Sequence, residues 1–497
     1  AQGAKTLRMR VGIDPVNFDW NNAGSYLTRF IFTSCMEGLV GLDAKLNPVP
    51  QLAKKATVSS DGRTYLFELR EGVKWSDGQP LTAADFVTSW KRLLDPLDRK
   101  DMSVMLANVV NADAYRLGTL KDFSLVGIKA LAPDRLEVKL AQAQADFMKV
   151  VTLPMLYPMR ADLLERFGQR AWHEPGKIVT LGPFLPAVHE KHKSVLLKRN
   201  PLYYGPPPKI DAVSIEVLDE DAKAVERFKK GEFDFVIPLN FKEAAAAKAA
   251  PGFHVSPQLR TRTLFLNTAK YPLTLVKVRQ AISLAIDRKA FASYLQGIYA
   301  TSSNWLPPQL AGPATAEPAR FDLAKARSLL AESGFAPSAS GKLELGVLST
   351  DENAYVSSFI VDQLKRNLDL NVDVKLLSRD AMIQQVELRA HPMFIYSRPA
   401  DYPDAYAFLA ALQSASNQNT PGWKSAEFDG LLKSLELQPS GPGRDKLVGA
   451  ALELVLDKEA PVVPLFVEAF SYLVSPRVHG LEVSPMADIN LATATIE

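Results

Sequence analysis

Short strands alternating with helices along the whole chain predict a mixed α/β (α+β) fold, divided among several domains. Three observations carry this. The chain has 497 residues, too many for one ordinary core at roughly 150 residues per domain, so two to four domains are expected. Hydrophobic residues make up 47% and charged residues 23%, the balance of an ordinary globular protein. Apolar patterns of period two and period 3.6 interleave from end to end, with no internal repeat and no low-complexity tail.

The elements follow in order. TLRMRVG (6–12) alternates and predicts a strand. YLTRFIFTSCMEGLVGLD (26–43) has helical spacing at Phe30, Ile31, Cys35 and Leu39, with a stop near Gly38–Gly41. TYLFELR (64–70) alternates Tyr65, Phe67 and Leu69, a half-buried strand, and WSDGQP (75–80) is a turn with Asp-Gly for the positive φ. In TAADFVTSWKRLLDP (82–96), Thr82 and Asp85 are spaced as a capping box, Phe86, Trp90 and Leu93 share a face, and Pro96 ends the helix. RLEVKL (135–140) is a strand, SVLLKRNPLYYG (194–205) a strand and turn, and 211–238 a strand, a helix and a strand. VKVRQAISLAIDRKAFASYL (276–295) predicts one long helix, and FDLAKARSLLAESGF (321–335) another that stops at Gly334. KLELGVLST (342–350) is a strand, 355–368 a helix and NVDVKLLS (371–378) a strand. SAEFDGLLKSLEL (425–437) and GRDKLVGAALELVLDKEAP (443–461) are helices. TSSNWLPPQLAGPATAEPAR (301–320) is coil-like, and a proline-rich stretch of that length predicts a functional loop.

Composition excludes some functions. A net charge of +3, with Lys and Arg interleaved among Asp and Glu, argues against nucleic acid as a partner. No apolar run approaches the roughly 18–20 residues that span a bilayer. The richest runs, MKVVTLPMLYPM (148–159) and APVVPLFVEAF (460–470), are short and proline-broken, and predict buried core. Cys35 is the only cysteine, so no intrachain disulfide can form, and its place after FIFTS (30–34) predicts a buried thiol. The opening AQGAKTLRM contains no apolar signal segment, which fits a mature secreted chain and a cytosolic one alike. HExxH, GxSxG, Walker A and GxGxxG motifs are absent. Of the histidines, only His189 and His192 are close in sequence, in HEKHKS, which predicts an exposed charged loop rather than a metal pair. No metal, cofactor or enzymatic activity is expected.

SRPADYPDAYAFLAAL (397–412) places Asp401 and Asp404 three residues apart, after Arg398. A carboxylate pair there can be a solvated turn, an acid/base or metal pair, or a seat for a cation, and it lacks the Gly and Glu spacing of a calcium loop.

TYLFELREGVKWSDGQPLTAADFVTSWKRLLDP (64–96) resembles the family 5 extracellular solute-binding proteins. Their pattern is an aromatic strand ending in Leu-Arg, a Trp-Ser-Asp-Gly turn and a Thr-Ala-x-Asp-Phe helix ending in Trp-x-Arg. FTSCMEGLVG (32–41), KIVTLGPFLP (177–186), LLKRNPLYYG (196–205) and FLNTAKYPLTLVKVRQAISLAIDR (265–288) are similar to further family segments, in the same order. The resemblance implies a two-lobed clamshell of the type II, cluster C-like periplasmic binding proteins, with an additional domain. Its segments would be 1–37, 159–260 and 471–497 for lobe I, 38–158 for the extra domain II, and 261–470 for lobe III. It also implies a monomer, periplasmic or lipid-anchored outside the cytoplasmic membrane, that delivers short peptides to an ABC permease. A specialised ligand such as a murein-derived peptide is the nearest alternative; a nickel or heme binder is more distant, and a peptidase or other hydrolase belongs to a different class.

ADYPDAYAFL (400–409) is similar to the oligopeptide-binding subgroup's motif, whose first Asp receives the peptide α-ammonium group. That residue is Asp401, with Tyr402 beside it, and a carboxylate offers a buried ammonium both charge and acceptors. Asp404 is implied to tether the loop, and Ala405 replaces the family proline. The resemblance further implies backbone pairing of an extended ligand with QLRTRTLFLN (258–267) through Leu259, Arg260, Thr261, Arg262 and Thr263. Arg260 and Arg262, two apart, would make that face unusually basic. Ser25 and Tyr26 align with a cleft-lining loop where Gly24 replaces an acidic contact, and Asn353 stands where the family has a histidine. Arg389 and Arg398 are the cations implied for the peptide carboxylate. Arg398-Pro399 replaces Trp-Cys, and Pro399 has no N–H to donate.

Overall fold

The computed structural model describes residues 5–15, 17–22, 26–98, 100–312, 321–337 and 341–497. The chain forms two compact units, residues 1–256 with 470–497, and residues 257–469.

In the first unit, Thr6–Val11 lies parallel to Ala212–Val217 on one edge and to Phe235–Leu239 on the other. Ser194–Arg199 and then Phe184–Glu190 extend the sheet antiparallel beyond Ala212–Val217. The wholly buried Arg10 donates from Nη2 to Asp221 at 2.5 Å and from Nη1 to the Pro238 carbonyl at 3.0 Å, joining strand to helix. Residues within 38–158 build a separate antiparallel sheet in the order Ala53–Val58, Thr64–Leu69, Arg135–Lys139, Ile128–Ala132. The helix Ala83–Leu93 carries the expected capping box, with the Asp85 carboxylate accepting from Thr82 N at 2.9 Å. Its inner face is pinned to Pro154–Leu156 and the residue after it: Trp90 Nε1 donates to the Leu156 carbonyl at 2.8 Å, and Ser89 to the Tyr157 carbonyl at 2.6 Å.

Several expectations change. The helix at 26–43 stops at Cys35, and Val40–Leu42 is a strand. A Cβ on Gly38 would stand 2.8 Å from the Tyr157 ring, so a close approach of chain to ring uses that glycine. The long helix at 276–295 is two helices, Val276–Leu284 and Arg288–Tyr294, because Asp287 caps the second by accepting from Lys289 N and Ala290 N. His189 is not an exposed loop residue. Its side chain turns inward onto Asp14, Nε2 to Oδ1 3.0 Å, while His192 stays in solvent. Of the coil at 301–320, Ala300–Thr301 enters as a strand and Pro308–Ala311 forms a helical turn, and 313–320 lie outside the described residues. Cys35 is buried, and burial pushes its thiol pKa up.

The second unit holds the strands in the order Val372–Leu377, Leu343–Leu348, Met393–Pro399, Phe253–Leu266, Val462–Val474. The last two are long strands that begin in one unit and end in the other. The helix Asp351–Leu368 starts four residues earlier than its apolar pattern, because Thr350 caps it by accepting from Asn353 N at 3.1 Å.

Trp90→Ala should lower the unfolding free energy by about 3–5 kcal/mol, since it removes a wholly buried indole and leaves the Leu156 carbonyl without its donor. Urea denaturation of the variant beside the wild type measures this.

Candidate functional site

The residues that matter lie on two paired strands of the second unit. Phe253–Leu266 runs antiparallel to Met393–Pro399, with Arg260 opposite Pro399, Thr261 opposite Arg398 and Arg262 opposite Ser397. Ala400 N donates to the Leu259 carbonyl at 2.8 Å. Strand residues present N–H and C=O to one edge and alternate edges along the chain. Ala400, Arg398 and Tyr396 therefore face Phe253–Leu266, while Ser397 and Pro399 face away. On that outer edge Leu343–Leu348 pairs in parallel with Met393, Phe394 and Ile395, and the pairing ends there. Among the described residues no strand pairs with the outer edge at Ser397 and Pro399.

This corrects the expected role of Leu259–Thr263. From Arg260 to Leu266 one edge is taken by Met393–Pro399, and the neighbour on the other side is Val462–Val474. Along the edge facing Met393–Pro399 the crossover strand spends its backbone on the fold. The open edge belongs to its neighbour. Ser397 offers N–H and C=O there, and Pro399 a C=O alone. Ser397 was not a candidate from sequence; the signal was the apolar run Met393–Tyr396 of a buried strand ending at a proline.

The two faces of this strand pair differ. Arg260, Arg262, Ser397 and Pro399 share one. Arg262 Nε donates to Glu468 Oε1 at 2.7 Å, its Nη2 reaches Glu352 at 3.2 Å, and its Nη1 donates to Asn353 Oδ1. Ser397 donates its hydroxyl to Glu468, and Arg260 Nη1 stands 3.5 Å from the same carboxylate. Tyr299 donates to Glu352 at 3.2 Å. Two half-buried carboxylates thus balance the two arginines, and the face is not unusually basic. Asn353 is a partner of Arg262, with its Nδ2 on the Leu348 carbonyl at 3.0 Å. Burial acts to push the Glu468 carboxyl up, but Arg262, Arg260 and the Ser397 hydroxyl hold it below the usual range. Burial pushes Glu352 up, and Arg262 only partly offsets this. Glu468 was missed from sequence, although a lone carboxylate inside APVVPLFVEAF is the kind of signal that marks a paired buried charge.

The opposite face carries Thr261, Thr263, Tyr396 and Arg398. Trp305 Nε1 donates to Thr263 Oγ1 at 3.2 Å, and the Thr261 hydroxyl is buried without a partner among the described residues. Arg398 Nη2 donates to Asp401 Oδ2 at 3.2 Å and reaches the Ala407 carbonyl at 3.5 Å, while its buried Nε makes no hydrogen bond among the described residues. Asp401 Oδ1 has no partner among the described residues, and the Asp401 side chain is 19% exposed. Tyr402 is buried, and its carbonyl accepts from Asp404 N at 2.7 Å.

Asp404 fixes the loop. It caps the helix Ala405–Leu409 by accepting from Tyr406 N at 2.8 Å, and it pairs with the buried Arg444, which also donates to the Leu435 and Gln438 carbonyls. Asp401 and Asp404 therefore do different work. Among the described residues no group of three His, Cys, Asp or Glu is placed to hold a metal ion.

Arg389 is not brought to Asp401. It precedes the far end of the strand, which itself spans about 20 Å by strand rise, in the left-handed region at φ 48°, with Nε on the Asn419 carbonyl at 3.2 Å. Ser25 lies outside the described residues, and Tyr26 opens the helix Tyr26–Cys35 in the first unit.

The family model "Bacterial extracellular solute-binding proteins, family 5 Middle" matches residues 47–420. The periplasmic oligopeptide-binding protein OppA of Salmonella typhimurium is 30% identical over 461 residues, covering 89% of this chain and 83% of that protein. The probable deoxycholate-binding periplasmic protein YgiS of Escherichia coli is 28% identical over 480 residues, covering 94% and 88%. A solved periplasmic oligopeptide-binding protein of Borrelia burgdorferi superposes with a TM-score of 0.84 at 25% identity, covering 99% of this chain and 100% of that one.

Two outcomes test the geometry. Asp404→Ala should cost about 3–5 kcal/mol of stability, because it strands the buried Arg444 cation, and the double variant Asp404→Ala/Arg444→Met should recover part of it in equilibrium unfolding. Glu468, held low in the fold, contributes stability that is present above its unfolded pKa and lost as pH falls through the folded one. Glu468→Gln should therefore flatten the acid limb of the stability–pH curve below the ordinary carboxylate range, as melting temperatures across that range would show.

Proposed function

Because the chain belongs to the family 5 bacterial extracellular solute-binding proteins, we propose that it captures short peptides outside the cytoplasmic membrane and delivers them to an ABC permease. The observation that carries this is the place of Asp401. Its carboxylate, with one oxygen unpartnered among the described residues, stands just past an open strand edge at Ser397 and Pro399. A peptide's α-ammonium group seats on Asp401, and the first residues of its backbone pair with Ser397. Pro399 accepts there but cannot donate, so ligand pairing is one bond shorter than a residue with an N–H would allow. The relative named for oligopeptide binding supports the same ligand class.

The protein acts as a monomer without a catalytic cycle of its own, and its partners are the peptide and the permease rather than nucleic acid. The division into 1–37, 159–260 and 471–497, into 38–158, and into 261–470 is part of the proposal. Arg262 and Asn353 support the two strands from one face and Thr263 from the other, and Leu259 holds Ala400. Murein-derived peptides remain within the class.

Asp401→Asn should weaken peptide binding by about 2–4 kcal/mol with little change in folding, because a desolvated ammonium loses its charge partner. N-acetylated peptides should bind the wild type as poorly as free peptides bind the variant. Wild-type affinity of Asp401→Asn in calorimetry would refute the amine seat. Native mass spectrometry of purified protein should show a ladder of peptide masses; a bile-acid, metal or heme mass would move the ligand class.

A further inference from the structure

The cation nearest to Asp401 is the protein's own. Arg398 Nη2 sits 3.2 Å from Asp401 Oδ2, with the Arg398 side chain 12% and the Asp401 side chain 19% exposed. We propose that Arg398 makes this site selective for ligands that bring a carboxylate close to their ammonium group: dipeptides, and longer peptides with an acidic first or second residue. The proposal rests on the amine seat at Asp401.

Charge balance is the reason. Before binding, Arg398 and Asp401 form a neutral pair. A ligand that delivers an ammonium alone places two cations against one carboxylate in a partly desolvated pocket, where like charges repel more strongly than in water. A ligand that delivers an ammonium and a carboxylate exchanges partners: the ammonium takes Asp401, the carboxylate takes Arg398, and the four charges sum to zero. The guanidinium has capacity for this. Its buried Nε makes no hydrogen bond among the described residues, Nη2 makes a 3.2 Å contact to Asp401 and a long 3.5 Å contact to the Ala407 carbonyl, and a carboxylate prefers two parallel donors from such a fork. Asp401 Oδ1, without a partner among the described residues, can take the ammonium before Arg398 has let go.

Four other arginines of the second unit are engaged elsewhere. Arg389 lies near the far end of the strand, with Nε on the Asn419 carbonyl. Arg260 and Arg262 point to the other face and share Glu468. Arg444, on the far side of the loop, is taken by Asp404.

Calorimetry with three C-terminally amidated tetrapeptides tests this: Ala-Ala-Ala-Ala, Asn-Ala-Ala-Ala and Asp-Ala-Ala-Ala. Only the last carries a carboxylate near its amine. The wild type should bind it about tenfold tighter than the Asn peptide, the scale of one charge-assisted hydrogen bond. Arg398→Gln should abolish that preference while still binding the Asn peptide, and Arg398→Lys should keep a reduced preference. Asp401→Asn should weaken all three together. If the wild type binds the Asp and Asn peptides equally while Asp401→Asn weakens both, the exchange is refuted and the amine seat stands. If Asp401→Asn changes nothing, or no peptide binds, the amine seat itself fails and the exchange with it. Should Arg398→Gln not fold by circular dichroism, the wild-type comparison and Arg398→Lys decide the question.

Discussion

The antiparallel register between Phe253–Leu266 and Met393–Pro399 governs the candidate site. Because Arg260 meets Pro399 and Arg262 meets Ser397, the pleat sends both arginines to one face and Arg398 to the other. A slip of one residue would put Arg398 beside Glu468 and take Arg262 away from it. The same register decides which backbone groups of Met393–Pro399 are consumed inside the sheet and which face outward.

Burial then sets what the charges must do. Arg262 is nearly inaccessible and lies against Glu468 and Glu352, so its cost of desolvation is offset within the protein. Asp404 and Arg444 are similarly closed on each other, and hold the loop that follows the strand. Arg398 and Asp401 form the looser pair: one contact of 3.2 Å and, among the described residues, an unpartnered oxygen on the acid and an unpartnered nitrogen on the base. Tightly satisfied pairs build the frame, and the proposed ligand seat is the incompletely satisfied one.

The family assignment and the geometry supply different things. Membership accounts for an extracytoplasmic solute-binding protein, and the relatives include one named for oligopeptides and one named for deoxycholate. Discrimination between such ligands rests on individual side chains, and here Arg398 and Pro399 stand where the resemblance leads one to expect Trp and Cys.

Much of the molecule was legible from residues alone where the signal is local. The strand at Thr64–Leu69, the capped helix Ala83–Leu93 and the strand–helix–strand run from Ala212 to Leu239 follow from period, caps and turns within a dozen residues of themselves. The tethering role of Asp404 was legible as well, through the resemblance of its motif. What the sequence could not decide is which edge of which strand is open, since that depends on partners far apart in the chain: Leu343–Leu348 stops pairing at Ile395, and no local pattern announces it. Nor could it assign Arg260 and Arg262 to Glu468, some 206 residues away from Arg262, and so a pair of arginines that looked like a basic surface proved to be a neutralised interior. Local propensities act over one or two turns, whereas edge closure and charge pairing are settled only when distant strands come together in a single register.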